Sequence, residues 1–139
     1  MSNSTRQNIL NQLEVLLEAL TQIKKVEQNR STPVDLETQP LPCAFIYSGP
    51  ERKLGDDRAV IGRENWEWVI PIEIWSNNKD LETLLKLIHD YLFQNRTLGG
   101  YAVTSERTGV DVQSIDLSRD LKSMIIEYTV LYRHTIGVM

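Results

Sequence analysis

Little in these 139 residues points to chemistry. There is one cysteine, Cys43, which excludes an internal disulfide framework and fits a reducing compartment. The two histidines, His89 and His134, stand in no HExxH or paired-histidine spacing, and no CxxC exists, so a dedicated zinc site is not expected. Neither GxGxxG nor GxxxxGK[ST] is present, so Gly99-Gly100 reads as a helix stop and not as a phosphate loop. No apolar run approaches the ~20 residues of a membrane span, and no basic N-terminal region precedes an apolar stretch as in a secretory signal. A basic excess is also missing. The net charge of −4 argues against a broad nucleic-acid-gripping face, though not against a surface that nucleic acid merely passes.

What is present is ordinary globular composition, 41% hydrophobic and 24% charged, which sets the expectation of a single domain over residues 1–139. A chain of this size buries roughly 65–70% of its unfolded surface, enough for a core without staples. The strongest local signal is Trp66-Glu-Trp-Val-Ile-Pro-Ile-Glu-Ile-Trp75. Trp66, Trp68, Ile70, Ile72 and Ile74 alternate with a mixed set, which predicts a strand with one face in a core. Pro71 within it predicts an edge or a bulge, because proline cannot donate to a ladder.

Ser4 with Gln7 forms a capping-box pattern ahead of the stripe Ile9, Leu13, Leu16, Leu20 and Ile23. This predicts a first helix of about 20 residues, ~30 Å long. Val15 lies off the stripe. A short strand at Lys24–Gln28 and a buried strand at Cys43–Tyr47 follow, with a polar segment between them. Residues 49–64, carrying Arg52, Lys53, Arg58 and Arg63 among acids, read as either a long loop or an extended hairpin arm. Leu81, Leu84, Leu85, Ile88, Tyr91 and Leu92 predict a second amphipathic helix, stopped at Gly99-Gly100. Residues 101–115 are strand-like, with a turn expected near Ser105–Gly109, and Ser123–Thr135 predicts a central strand with apolar residues on both faces.

The fold expected is therefore α/β of the α+β kind: a mostly antiparallel sheet with two helices packed on one face. The opposite face would carry Val69, Trp75, Ile125 and Leu131, too apolar for a free surface if they cluster, and this points to oligomerisation. Candidate interface residues are Trp75, Val69, Leu131 and Arg133 on the sheet, with Arg52, Lys53, Arg58 and Arg63 on the arm. Trp75 reads equally as an interface anchor or as a half-buried rim residue. Cys43 sits in an apolar strand, where a thiol is inert packing. Asp111, Asp116, Asp120 and Glu106 lack the rhythm of a calcium loop and read as a solvated acidic turn. No catalytic, cofactor-binding or metal-binding residue is assigned. An enzyme or regulatory binding domain using Cys43, His89 or the acidic turn is the least favoured reading.

In the order of its elements the chain resembles the bacteriophage tail terminator, or tail completion, proteins related to the lambda minor tail protein U. The features that carry the resemblance are the leading amphipathic helix, Leu41-Pro42 leading into a strand that ends Tyr47-Ser48-Gly49-Pro50-Glu51, and the charged arm. The strand Pro71-Ile-Glu-Ile-Trp75, the stop Thr97-Leu-Gly-Gly100 and the last strand Ile126-Glu-Tyr-Thr-Val-Leu-Tyr-Arg133 complete it. The resemblance implies a virion protein with no turnover. It implies a homo-oligomeric ring, usually a hexamer, that caps the head-proximal end of the tail tube and offers a surface to the neck or head. The partners implied are the tail tube protein, a neck or connector protein, and the sheath protein if the tail is contractile. DNA would pass through the lumen without specific binding, and no membrane is involved. A neck connector, head-completion or minor tail protein is the alternative of the same class.

Overall fold

The computed structural model describes residues 4–29, 42–53, 63–116 and 121–135. Two helices, α1 (Thr5–Glu18) and α2 (Asn78–Gln94), lie on one face of a six-stranded sheet. The strands are β1 (Lys25–Gln28), β2 (Cys43–Ile46), β3 (Glu51–Lys53), β4 (Arg63–Asn77), β5 (Thr104–Asp116) and β6 (Leu121–Thr135). Their order is β1-β2-β4-β6-β5, with β3 also pairing β4. All pairings are antiparallel except β1 with β2, which is parallel. The expected α+β architecture is therefore the observed one. The parallel pair is possible because a long connection separates its strands, where an antiparallel pair needs only a tight turn.

Helix α1 begins as its sequence predicts. The Ser4 hydroxyl accepts from the Gln7 amide at 3.1 Å, satisfying one of the orphan donors of the first turn. Only half of a capping box forms, because the Gln7 side-chain amide donates to Asn11 and to Gln28 of β1. The helix stops at Glu18, 14 residues long instead of about 20. Beyond it, the amides of Leu20 and Ile23 bond three residues back, to Leu17 and Leu20. These tight turns still deliver both side chains to the core, so the apolar spacing outlasts the helix itself.

The central pair is β4 with β6, in register over the full 15 residues of each strand. Their even-numbered residues from Trp68 to Ile74 and from Met124 to Tyr132 form the core beneath the helices, with Trp66 packed at its margin. Pro71 was expected at an edge or a bulge, yet β4 is flanked on both sides. The resolution is local. On one side β4 changes partner from β2, whose last pair is Ile46 with Ile72, to β3, whose first is Glu51 with Trp68. Pro71 sits at this break. Its carbonyl accepts from the Tyr47 amide at 3.0 Å, and no ladder bond there requires a proline N–H.

The chain at 47–50 crosses this break closely. A Cβ on Gly49 would lie 2.3 Å from the Val69 carbonyl oxygen and 3.0 Å from Pro71 Cδ, so only glycine fits. Residues 101–115 also differ from expectation. No turn interrupts them; β5 runs unbroken from Thr104 to Asp116, and bulges at Arg107/Gly109 and Ser114/Asp116 absorb the irregular pattern.

Candidate interaction surface

The face of the sheet away from the helices is set by the alternation of β4 and β6. Across them, Val69 pairs with Thr129, Glu67 with Leu131, Glu73 with Ile125 and Trp75 with Ser123. Each apolar residue thus has a polar neighbour directly across. Val69 and Leu131 are diagonal neighbours, as are Trp75 and Ile125, but six residues of strand, about 20 Å, separate Val69 from Trp75. The register therefore sets Val69 and Leu131 apart from Trp75 and Ile125 along the strands, with Pro71, Phe45 and Cys43 on the same face, and all four residues are half-buried.

Polar contacts cross this face between strands. Arg52 Nε lies 3.2 Å from Glu67 Oε1, the Tyr47 hydroxyl donates to Glu73 at 3.2 Å, and Arg133 Nε donates to Asn65 Oδ1 at 2.9 Å. The Thr108 and Thr129 hydroxyls meet at 2.9 Å. Ion pairs as exposed as Arg52–Glu67 contribute about 0–1 kcal/mol, so their main effect is on specificity. Trp75 carries a further feature: its indole N–H is buried with no acceptor among the described residues. Such a donor costs about 1–3 kcal/mol unless something supplies an oxygen.

The arm is a hairpin at its base, since Lys53 pairs with Trp66 and Arg52 with Glu67. Arg52 and Lys53 are exposed there; Arg63 opens β4, and Arg58 lies outside the described residues. The base is pinned from the helix layer. Tyr132 O–H donates to Glu51 Oε2 at 2.7 Å, Arg6 Nε lies 3.6 Å from the same oxygen, and the Arg6 guanidinium stacks 4.6 Å above the Trp68 ring. Trp68 Nε1 in turn donates to the Gly49 carbonyl at 3.1 Å. Burial, and then the bond to Glu51, hold the Tyr132 phenol well above its ordinary pKa.

The structure places Cys43 away from the histidine of the second helix. This residue is buried in β2 opposite Trp75, while its neighbour Ala44 joins the core beneath the helices, so the sheet stands between Cys43 and His89 of α2. Of the acidic turn, Asp111 and Glu106 are exposed on β5, Asp116 ends that strand, and Asp120 lies outside the described residues. Among the described residues no three His, Cys, Asp or Glu side chains gather as a metal site, and no helix is long and apolar enough to cross a membrane.

One corner was not singled out by sequence. The C-terminal half of α2 leans over the β5–β6 ribbon and encloses a cavity of about 180 Å³ lined by His89, Phe93, Ser105, Glu106, Arg107 and Tyr128. The Tyr128 hydroxyl is buried there without a hydrogen bond among the described residues. Burial pushes its pKa up to about 12, against the opposing pull of Arg107. Phe93, Val110 and Val112 are all more than 40% exposed nearby on α2 and β5. The sequence signal was Phe93, one position beyond the apolar stripe of its helix.

These features define a class, a two-helix layer on one face of an antiparallel-dominated sheet, with candidate interaction surfaces and no catalytic constellation among the described residues. A solved structure described as "Virion of native gene transfer agent (GTA) particle" contains a chain of similar fold, with a TM-score of 0.51 and 10% sequence identity. The similarity covers 94% of this chain and 92% of that one. No protein-family description and no curated protein sequence matches the chain.

Proposed function

We propose that the protein is a structural component of a phage-like virion, and that within it the chain is a tail terminator. In this reading its subunits close into a ring, six-membered in the manner of the family it resembles, on the head-proximal end of the tail tube. The ring stops tube polymerisation and presents a surface to the neck or connector, and to a sheath where the tail is contractile. The observation that carries the broader reading is the likeness of fold to a virion-particle chain over nearly the whole length of both. The order of sequence elements supports the finer one.

The physics is consistent with this role. A closed ring is built from a head-to-tail interface, which needs two different complementary surfaces on each subunit. The sheet face with Val69, Trp75, Leu131 and Arg133 and the arm with Arg52, Lys53, Arg58 and Arg63 are proposed as contributors. A net charge of −4 suits a lumen that lets DNA slide without sticking. The protein would assemble in the host cytoplasm and remain in the virion.

The test is to add purified protein to polymerising tail tubes and image them by electron microscopy. Rings at one tube end, with tube length fixed by the time of addition, are the expected result. Tubes that grow unchecked, with the protein bound elsewhere along the particle, would replace the terminator reading with a neck or minor tail role.

A further inference from the structure

Among the described residues the sheet has two open edges. β1 and β5 each pair on one side only, with β2 and with β6. An open edge strand is a template for another chain, and proteins commonly blunt it by shortness, lysine or proline. β5 is 13 residues long and contains neither lysine nor proline. Its bulges fall at Arg107/Gly109 and Ser114/Asp116, which leaves the stretch between them regular. Val110 and Val112 stand in that stretch, 41% and 43% exposed, on the helix side of the sheet opposite the core residues Ile126 and Met124. The other edge carries a matching residue. Val26 of β1 is partly buried on the same side, beside Ala44.

The two edges agree in direction, backbone and charge. β1 is parallel to β2 and every later pair is antiparallel, so along the order β1-β2-β4-β6-β5 the edge strands run in opposite directions. Rotation about an axis along the strands preserves direction. β5 of one copy therefore meets β1 of the next antiparallel, with both helix layers on one side. The Asn29 amide donates to the Ile46 carbonyl and the Val103 amide to the Leu131 carbonyl, each at 2.7 Å. Backbone groups alternate sides along a strand. Lys25 and Glu27 thus turn theirs to β2, while Gly109 and Asp111 turn theirs to β6. Val26 and Val110 are left with N–H and C=O pointing outward, one pair on each edge.

Charge selects the register. Val26 opposite Val110 sets Lys25 opposite Asp111, both exposed and both on the face away from the helices, and places Glu27 opposite Gly109. A slip of two residues would set Glu27 against Asp111 instead, and like charges directly across are destabilising. Lys25 Nζ lies 2.9 Å from Glu27 Oε1 on its own strand, so Asp111 adds a second acid to a lysine already held on that face. Pairing β5 with itself so that Val110 meets Val112 would put two Asp111 side chains opposite each other, and would leave both β1 edges open.

We infer that β1 of a second copy of this chain adds antiparallel to the β5 edge, with Val26 opposite Val110 and Lys25 opposite Asp111, so that one sheet continues from subunit to subunit. The inference rests on the ring reading and deepens it. Each copy offers one β1 and one β5, the unlike pair that head-to-tail closure requires.

The experiment is disulfide trapping on the full chain. Lys25 and Asp111 would face each other as a non-hydrogen-bonded pair with Cα atoms about 4.5 Å apart, within the ~4.4–6.8 Å span of a disulfide. The proteins compared are wild type, whose buried Cys43 is the control, Asp111→Cys, Lys25→Cys with Asp111→Cys, and Lys25→Cys with Gln113→Cys, which reports the slipped register. Far-UV circular dichroism confirms that each folds, and native mass spectrometry gives its assembly before oxidation with glutathione disulfide. The Lys25/Asp111 pair should yield a covalent ladder on non-reducing gels that ends at the subunit number of the wild-type ring, roughly tenfold faster than the Lys25/Gln113 pair. Rings that give no ladder, or a ladder faster through Gln113, would overturn the inference while leaving the ring reading intact. Covalent dimers of the Asp111→Cys variant alone would show β5 pairing with itself and overturn it as well. A wild-type chain that stays monomeric at all concentrations would overturn both.

Discussion

Trp68→Ala is expected to be the most damaging single truncation described here. The side chain is fully buried, and removal of a buried tryptophan typically costs about 3–5 kcal/mol in transfer and cavity terms. Its edge-to-face contact with Tyr132, with ring centroids 6.2 Å apart, adds about 0.5–1.5 kcal/mol. The Gly49 carbonyl loses its donor, at about 1–3 kcal/mol if no water replaces it. These contributions share atoms and do not add fully, so a total of about 4–6 kcal/mol is the working figure. Against a domain stability of about 5–15 kcal/mol this is a large share. With a urea slope of about 2 kcal/mol per molar, the midpoint should fall by about 2–3 M. Urea titration followed by far-UV circular dichroism measures it. Trp68→Phe keeps an aromatic six-membered ring while removing the N–H and the rest of the indole, so it should cost less than the alanine variant, about 2–3 kcal/mol. A midpoint shift under about 0.5 M for the alanine variant would refute the packing account.

Trp75→Ala should show the opposite balance, with a stability loss under about 2 kcal/mol because the side chain is half-buried and its N–H already lacks an acceptor, but weaker self-association by sedimentation. Equal losses of fold and assembly in the Trp68 and Trp75 variants would remove the distinction. Gly49→Ala should destabilise by about 1–3 kcal/mol, since its new methyl meets the Val69 carbonyl, backbone that cannot swing aside; an unchanged thermal midpoint would contradict the close approach. Ser4→Ala should lose about 1 kcal/mol through the N-cap, and Ser4→Asn should retain most of it in the same melts. Alkaline pH supplies another test. The Tyr128 phenol is raised in the folded state to about 12, so its contribution is fully present below the unfolded value near 10 and is lost as pH rises through 12. Stability should fall by about 2–3 kcal/mol across that window, and Tyr128→Phe should flatten the part of the decline due to this residue.

The sequence made the core legible because its signal is periodicity, and periodicity survives without knowledge of partners. The even residues of the Trp66–Trp75 strand, the stripes of both helices and the Ser4 cap all appear where their spacing places them. What spacing could not show was which strand lies beside which. Pro71 looked like an edge marker because its strand reads as uniformly paired; the break between β2 and β3, filled by residues 47–50, is a tertiary fact. The irregular spacing before Ile115 looked like a turn because a bulge shifts the pattern in the same way. Helix α1 seemed longer than it is, since tight turns carried Leu20 and Ile23 onto the same core. The candidate surface was least legible. Strand alternation puts Val69, Trp75 and Leu131 on one face, and only the β4–β6 register shows them interleaved with glutamate, threonine and serine. The α2–β5 cavity needed three elements to meet before Tyr128 and Arg107 shared a space.

The full-length pairing of β4 with β6 also bears on how the molecule comes into being. The two strands are separated by more than forty residues, and β4 emerges from the ribosome long before residues 121–135 follow. Until then it presents a 15-residue strand with one apolar face and one edge unpaired, the kind of template that recruits a wrong partner. The β5–β6 hairpin is local and can close quickly, so arrival of β6 delivers a preformed ribbon to that edge in one step. A chain cut before residue 121 should therefore aggregate instead of folding partway, and yield in the host should depend on how fast translation passes this point.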